Sequence, residues 1–319
     1  MKEVEGVSRR VSRACGFAFS AAIALFTAQG AFAANTYYWE GSNNASFPQR
    51  LNWVDSNGAN PSAHVNGQTE ANLWFQENKY NAKFTGTNNR TVKFATVVTN
   101  KWKVFIRDNG TESAPLVFDL NGNVSASCGL VAGNSTSSDV GFHIGDGVAG
   151  TEAWLKLAGG TYRTTKNGCW FVGNNNTANG VGHIVSCEGV TMSAEKNFEF
   201  RNGTLDATGT TLSCATFLAG CATGGGGTVA VTKDGGDWTI GTLKIATNRN
   251  VNATFEQKAG TLASTGNIEI GDFGDGNTGT ALFDISGGTV TPSGNIHLGC
   301  SGIAGASSPF SAASFTAFS

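Results

Sequence analysis

The chain has 319 residues, 14% of them charged, a net charge of −2 and 44 glycines. Ordinary domains carry about 25% charged residues and about 7% glycine, so this balance excludes a basic surface for nucleic acid or anionic membrane. Five prolines exclude a collagen-like or polyproline chain, and abundant Gly, Thr, Asn, Ser and Val point instead to short strands joined by tight turns.

The N-terminus reads as an export signal. Lys2, Arg9, Arg10 and Arg13 precede an apolar run from Ala14 to Ala28, and Ala31-Phe32-Ala33 places small residues where a signal peptidase reads. The expectation is a signal peptide over residues 1–33, cleaved after Ala33. The run falls short of the roughly 20 apolar residues of a spanning helix. No second hydrophobic segment follows, so no transmembrane segment is expected after signal removal. The mature chain is expected outside the cell or at its surface, with the periplasm as the alternative.

Residues 34–90 form an aromatic-rich segment. Tyr37-Tyr38-Trp39-Glu40-Gly41 opens it, and Leu51-Asn52-Trp53 follows. Trp39, Trp53, Trp74 and Phe75 are expected to act as an N-terminal β cap over the first coil, which would otherwise expose strand edges; the other use for clustered Trp is a carbohydrate platform. This opening resembles the start of bacterial proteins carrying autotransporter-associated β-strand repeats, and Phe118-Asp119-Leu120-Asn121-Gly122 is similar to a phrase common in that family. The resemblance implies an exported β-solenoid passenger. Such passengers often carry a β-barrel, and no counterpart to it is found in these residues.

From Thr91 onward alternation is regular, in Thr91–Ala95 and Trp102–Arg107. Phe142-His143-Ile144-Gly145-Asp146-Gly147 then returns as Trp170-Phe171-Val172-Gly173 and Phe198-Glu199-Phe200-Arg201, 28 residues apart each time. Ile268-Glu269-Ile270-Gly271 and Ile296-His297-Leu298-Gly299 repeat it, again 28 apart. A fixed period of this size is a solenoid signature. The expected fold is all-β: a parallel β-helix over residues 91–319, with three short strands per coil of about 25–28 residues. Phe142, Trp170 and Phe198 should form one inward column and Ile144, Val172 and Phe200 another, with His143, Phe171 and Glu199 pointing outward between them. Between 198 and 268 the period breaks, and coils are expected to restart at Phe217 and Leu243. Ser314–Ser319 resembles Ala281–Ser286, which makes the chain the expected front part of a longer one.

Candidate chemistry is sparse. Glycoside cleavage needs two carboxylates on one face, about 5–9.5 Å apart. The candidates are Asp119, Asp139, Asp146, Glu199, Asp272, Asp275 and Asp284, with Arg163, Lys166 and Arg201 as cations, and they form no cluster in sequence. Gly271–Asn277 offers oxygens for calcium but lacks the glutamate of an EF-hand. The run Gly224–Gly227 lacks the Lys-Ser/Thr of a phosphate loop. Cys128, Cys169, Cys187, Cys214, Cys221 and Cys300 remain after signal removal, as disulfides or as buried thiols, with Cys187 and Cys214 spaced to stack on adjacent coils. No catalytic residue, metal site or cofactor is assigned. The reading is a non-catalytic structural or adhesive surface protein whose partners are extracellular glycans or other surface proteins; the alternative is a glycan-binding or polysaccharide-degrading β-helix.

Overall fold

The structure is a computed structural model. It describes residues 35–39, 49–55, 57–61, 71–76, 91–94, 97–100, 103–107, 111–119, 129–132, 140–145, 150–165, 168–174, 180–221, 227–247, 250–271, 279–299 and 313–317. The expected signal segment, Asp139, Asp146, Lys166, Asp272, Asp275, Cys128, Cys300 and the Gly224–Gly227 run lie outside the described residues.

Residues 34–319 form one compact unit, a β-solenoid. Among the described residues the only helix is the 3-10 turn Arg50–Asn52, and no helix is long and apolar enough to cross a membrane. One coil shows the plan. Glu152–Ala158 runs along the first face, Gly160–Thr164 along the second and Cys169–Val172 along the third. The next coil places Val181–Ser186, 190–193 and 198–200 in parallel register on those three strands. Longer strands such as Val190–Phe200 and Thr228–Ile245 turn a corner and serve two or three faces.

Period-2 alternation decides what fills the interior. Phe142, Trp170, Phe198, Phe217, Leu243 and Ile268 stand in register on the third face, and all are fully buried. Phe142 and Trp170 stack with centroids 4.0 Å apart, and Trp170 and Phe198 follow at 5.0 Å. Leu155, Ile184, Leu205, Val231, Phe255 and Phe283 do the same on the first face. Tyr162, Met192, Leu212, Trp238 and Leu262 do so on the second.

The expected restarts at Phe217 and Leu243 hold, with offsets of 19, 26 and 25 residues from Phe198 to Ile268. The 19-residue coil is short because only Arg201–Asn202 joins the third face to Gly203–Thr208 on the first. Chain reversal that tight depends on glycine. Gly173 has φ +77°, and a Cβ there would lie 2.2 Å from the carbonyl oxygen of Asn202.

Parallel stacking on the third face also runs back from Val104–Arg107 through Ala71–Gln76 to Asn35–Trp39. Trp39 and Phe75 therefore occupy inward rung positions. Trp53 lies across them on Trp53–Val54, the antiparallel partner of Asn35–Trp39. The Trp39, Trp53 and Phe75 rings meet at 5.1–5.9 Å, and all three are fully buried.

Candidate functional site

Three outward faces remain once the core is filled, and each has its own chemistry. On the third face Phe105, His143 and Phe171 stand in register, with ring centroids 6.1 and 5.7 Å apart. Glu199 follows Phe171 on the next rung. Arg201 lays its guanidinium 3.8 Å from the Phe171 centroid and donates from Nη2 to Glu199 Oε2 at 2.9 Å. Asn197 Nδ2 donates to the other carboxylate oxygen at 3.0 Å. This row points outward as expected, but His143 and Phe171 are only 9% and 8% exposed. They form a second apolar layer outside the sheet, which is why no aromatic platform is open there. Further along, Glu269 stands in register with His297, yet its ion pair is with Lys244 on the preceding rung.

The first face carries a cluster that sequence reasoning missed. Trp154 and His183 are in register and stack at 3.9 Å, 14° from parallel. His183 Nδ1 hydrogen-bonds Thr204 Oγ1 at 2.8 Å on the next rung, and its Nε2 lies 3.8 Å from Glu152 Oε2. Trp154 Nε1 donates to the same Glu152 oxygen at 3.0 Å. Burial depresses the His183 pKa below the ordinary imidazole value, opposed by Glu152 and Glu112. The sequence signal was the coil offset itself, which pairs Trp154 with His183, but neither residue belongs to the repeating phrase. On the same face Glu256 and Asp284 stand in register on adjacent rungs, and Lys258 Nζ lies 3.2 Å from Glu256. These two carboxylates share one face on neighbouring rungs. The other described candidates are dispersed: Asp119 stands many rungs away on the first face, Glu199 on the third and Arg163 on the second. No group of three metal-ligating side chains occurs among the described residues.

The second face is the flattest in chemistry. Thr161, Thr191, Thr211, Asp237, Thr261 and Thr289 form one outward row, and Arg163, Ser193, Ser213, Thr239, Ala263 and Thr291 form the other. Neighbouring rungs lie about 4.8 Å apart and the two rows about 6.6 Å apart along the strand. Among the described residues, the hydroxyls of Thr191, Ser193, Thr211, Ser213, Thr239, Thr261, Thr289 and Thr291 have no protein partner, so they face solvent.

Among the polar side chains that point inward, two are the longest. Lys233 and Gln257 occupy adjacent inward positions at the corner between the first and second faces, both 0% exposed. Lys233 Nζ donates to the carbonyls of Gly235, Gly236 and Ala259 at 3.1, 3.0 and 2.7 Å. Gln257 Nε2 donates to Ala259 and Gly260. Burial brings the Lys233 pKa down to about 8, against the pull of Asp237 and Asp234. The carbonyl cage explains a buried cation with no substrate facing it.

Cys169, Cys187, Cys214 and Cys221 are free thiols. The expected stacking of Cys187 on Cys214 does not occur. Cys187 follows Ser186, which registers with Ala207, whereas Cys214 stands on the second face against Ala194 and Ile240. The coil there is shorter than the 27-residue spacing of the two cysteines. Burial pushes the Cys214 thiol up strongly and the Cys221 thiol up to about 12. Thiolate is the reactive form, so iodoacetamide should label Cys187 in the native chain and reach Cys169, Cys214 and Cys221 only in denaturant. Rapid native labelling of Cys214, read by peptide mass mapping, would contradict this burial.

Comparison with known protein families, characterised proteins and solved structures gives no match.

Proposed function

We infer that the chain is an exported, non-catalytic surface protein, a structural or adhesive β-solenoid that works by holding an ordered surface rather than by moving bonds. The observation that carries this reading is that three outward carboxylates are each engaged by a neighbouring side chain. Glu199 is satisfied by Arg201 and Asn197, Glu269 by Lys244, and Glu256 by Lys258. A catalytic acid or base needs a pKa matched to its task and a free approach to substrate, and these groups are engaged with one another. The export reading rests on residues 1–33 and on the autotransporter-like opening.

A second reading is favoured by the second face. Eight free hydroxyls in two regular rows suit a neutral, hydroxyl-rich partner, which outside a cell means a glycan. A glycan array and a pull-down on insoluble polysaccharide test both readings together. The adhesive-glycan reading expects saturable binding that falls at least about tenfold in Thr211→Lys, roughly 1.4 kcal/mol, with no release of reducing ends. Reducing-end release that disappears in Asp284→Asn would instead make the chain an enzyme and overturn the non-catalytic reading.

A further inference from the structure

On the second face the two outward rows run along the solenoid axis. They cross five rungs, from Thr191 and Ser193 to Thr289 and Thr291, with no register shift within the rows. Between the rows the chain points inward, and Met192, Leu212, Trp238 and Leu262 are buried. No side chain of these rungs therefore stands in the trough between the rows, which is about 6.6 Å wide. Along a strand the face is short. A glycine of positive φ turns the chain within two residues ahead of the first row on every rung, at Gly189, Gly209, Gly236, Gly260 and Gly288. A ligand laid along one strand meets two outward positions and then a corner. One laid along the axis meets a fresh pair on each rung over about 19 Å.

We propose that this trough holds a single neutral polysaccharide chain lengthwise, crossing the rungs rather than following a strand. The proposal rests on the glycan reading of this face, and it adds the direction, shape and charge of the glycan. Direction follows from the corners, which leave only the axis open to a long ligand. Shape follows from register, because rows in step from rung to rung match an extended, straight chain and diverge from a coiled one. Charge follows from the residues themselves. Of the ten outward positions on these rungs eight carry hydroxyls, Ala263 is apolar, and Asp237 is the single ionisable group. A polyanionic glycan would meet Asp237 in mid-trough with no cation among the ten positions to offset it; Arg163 stands one rung before Ser193, outside this stretch. The hydroxyls both donate and accept, as sugar hydroxyls do. One such bond contributes little net stability, and no aromatic side chain among the ten positions can hold a lone sugar ring by stacking. Affinity must therefore come from repetition, each further rung adding a contact to a chain already held.

The test is calorimetric titration of the purified chain with β-linked glucose oligomers of two to eight rings, and with galacturonate oligomers of the same lengths. Affinity for the neutral series should rise at least about tenfold from dimer to tetramer, then level off once the oligomer spans the five rungs. The galacturonate series should bind at least about tenfold more weakly at every length. Thr239→Lys, in mid-trough, should weaken the neutral octamer at least about tenfold. Thr254→Lys, which places the same side chain on the first face, should leave it unchanged. Circular dichroism and melting of both variants should match the parent. Equal affinity at all lengths would overturn the lengthwise placement while leaving a glycan site on this face. Equal binding of the two series, or octamer binding that survives Thr239→Lys, overturns the proposal as well. So does a neutral series that does not bind at any length, and the glycan array then decides separately whether the glycan reading falls with it.

Discussion

Trp170→Ala lowers the stability of the folded chain by about 3–5 kcal/mol. The indole is fully buried, stacked between Phe142 at 4.0 Å and Phe198 at 5.0 Å, and its Nε1 donates to the Ser193 carbonyl at 3.1 Å. Truncation opens a cavity in a column whose neighbours are pinned by rung hydrogen bonds above and below, so collapse into it is restricted. It also leaves the Ser193 carbonyl without that donor. Trp154→Ala is the control, because Trp154 stands on the outer side of the first face and is partly exposed. Urea unfolding of the two variants should separate them by at least about 2 kcal/mol. Equal losses would mean that the inward aromatic column does not hold the coils together.

Gly203→Ala is expected to cost at least about 3 kcal/mol. Gly203 has φ +130°, a conformation that side chains rarely adopt, and an added Cβ would stand 1.7 Å from the carbonyl oxygen of Gly182 on the neighbouring rung. That atom belongs to backbone held in the first-face ladder, so relief requires shifting a rung. The two-residue turn Arg201–Asn202 leaves no slack to absorb the shift. Gly58→Ala makes the comparison: its φ is also positive, but nothing lies within 4 Å, so its cost is conformational alone, about 1 kcal/mol. A Gly203→Ala chain that melts with the parent would show that the short coil is looser than this geometry.

Much of the fold was legible because two periods coincide in the sequence. Inward positions alternate along each strand, and equivalent strands recur once per coil, so Phe142, Trp170 and Phe198 announced both the column and the register. Three features escaped for local reasons. The 19-residue coil escaped because its length depends on the Arg201–Asn202 turn, which carries no distinctive signature. The burial of His143 and Phe171 escaped because alternation says which side a residue faces, not what covers that side. Lys233 escaped because a lysine normally argues for solvent. Only its place after inward Val229 and Val231 hints that three carbonyls await it. The outer cluster of Glu152, Trp154, His183 and Thr204 needed coil-to-coil register, which no single segment contains.

The ladder also limits how far along the chain any strand must reach for its partners. Residues in register on successive rungs are between 19 and 39 positions apart everywhere on the three faces, so every rung deals only with the one before and the one after. Energetically the solenoid behaves as a line of neighbours rather than as a single cooperative ball. Order then spreads like a zipper from wherever two coils first meet, and the well-packed stretch from Phe142 to Trp238 is the natural starting point. The same locality makes the fold indifferent to the number of coils but intolerant of fractions of one. Excising residues 229–252 removes a whole turn and brings Ala253 to the place of Val229, whereas deleting one residue within a strand turns its buried row outward. Lengthening or shortening by whole coils is therefore the change this architecture absorbs most readily.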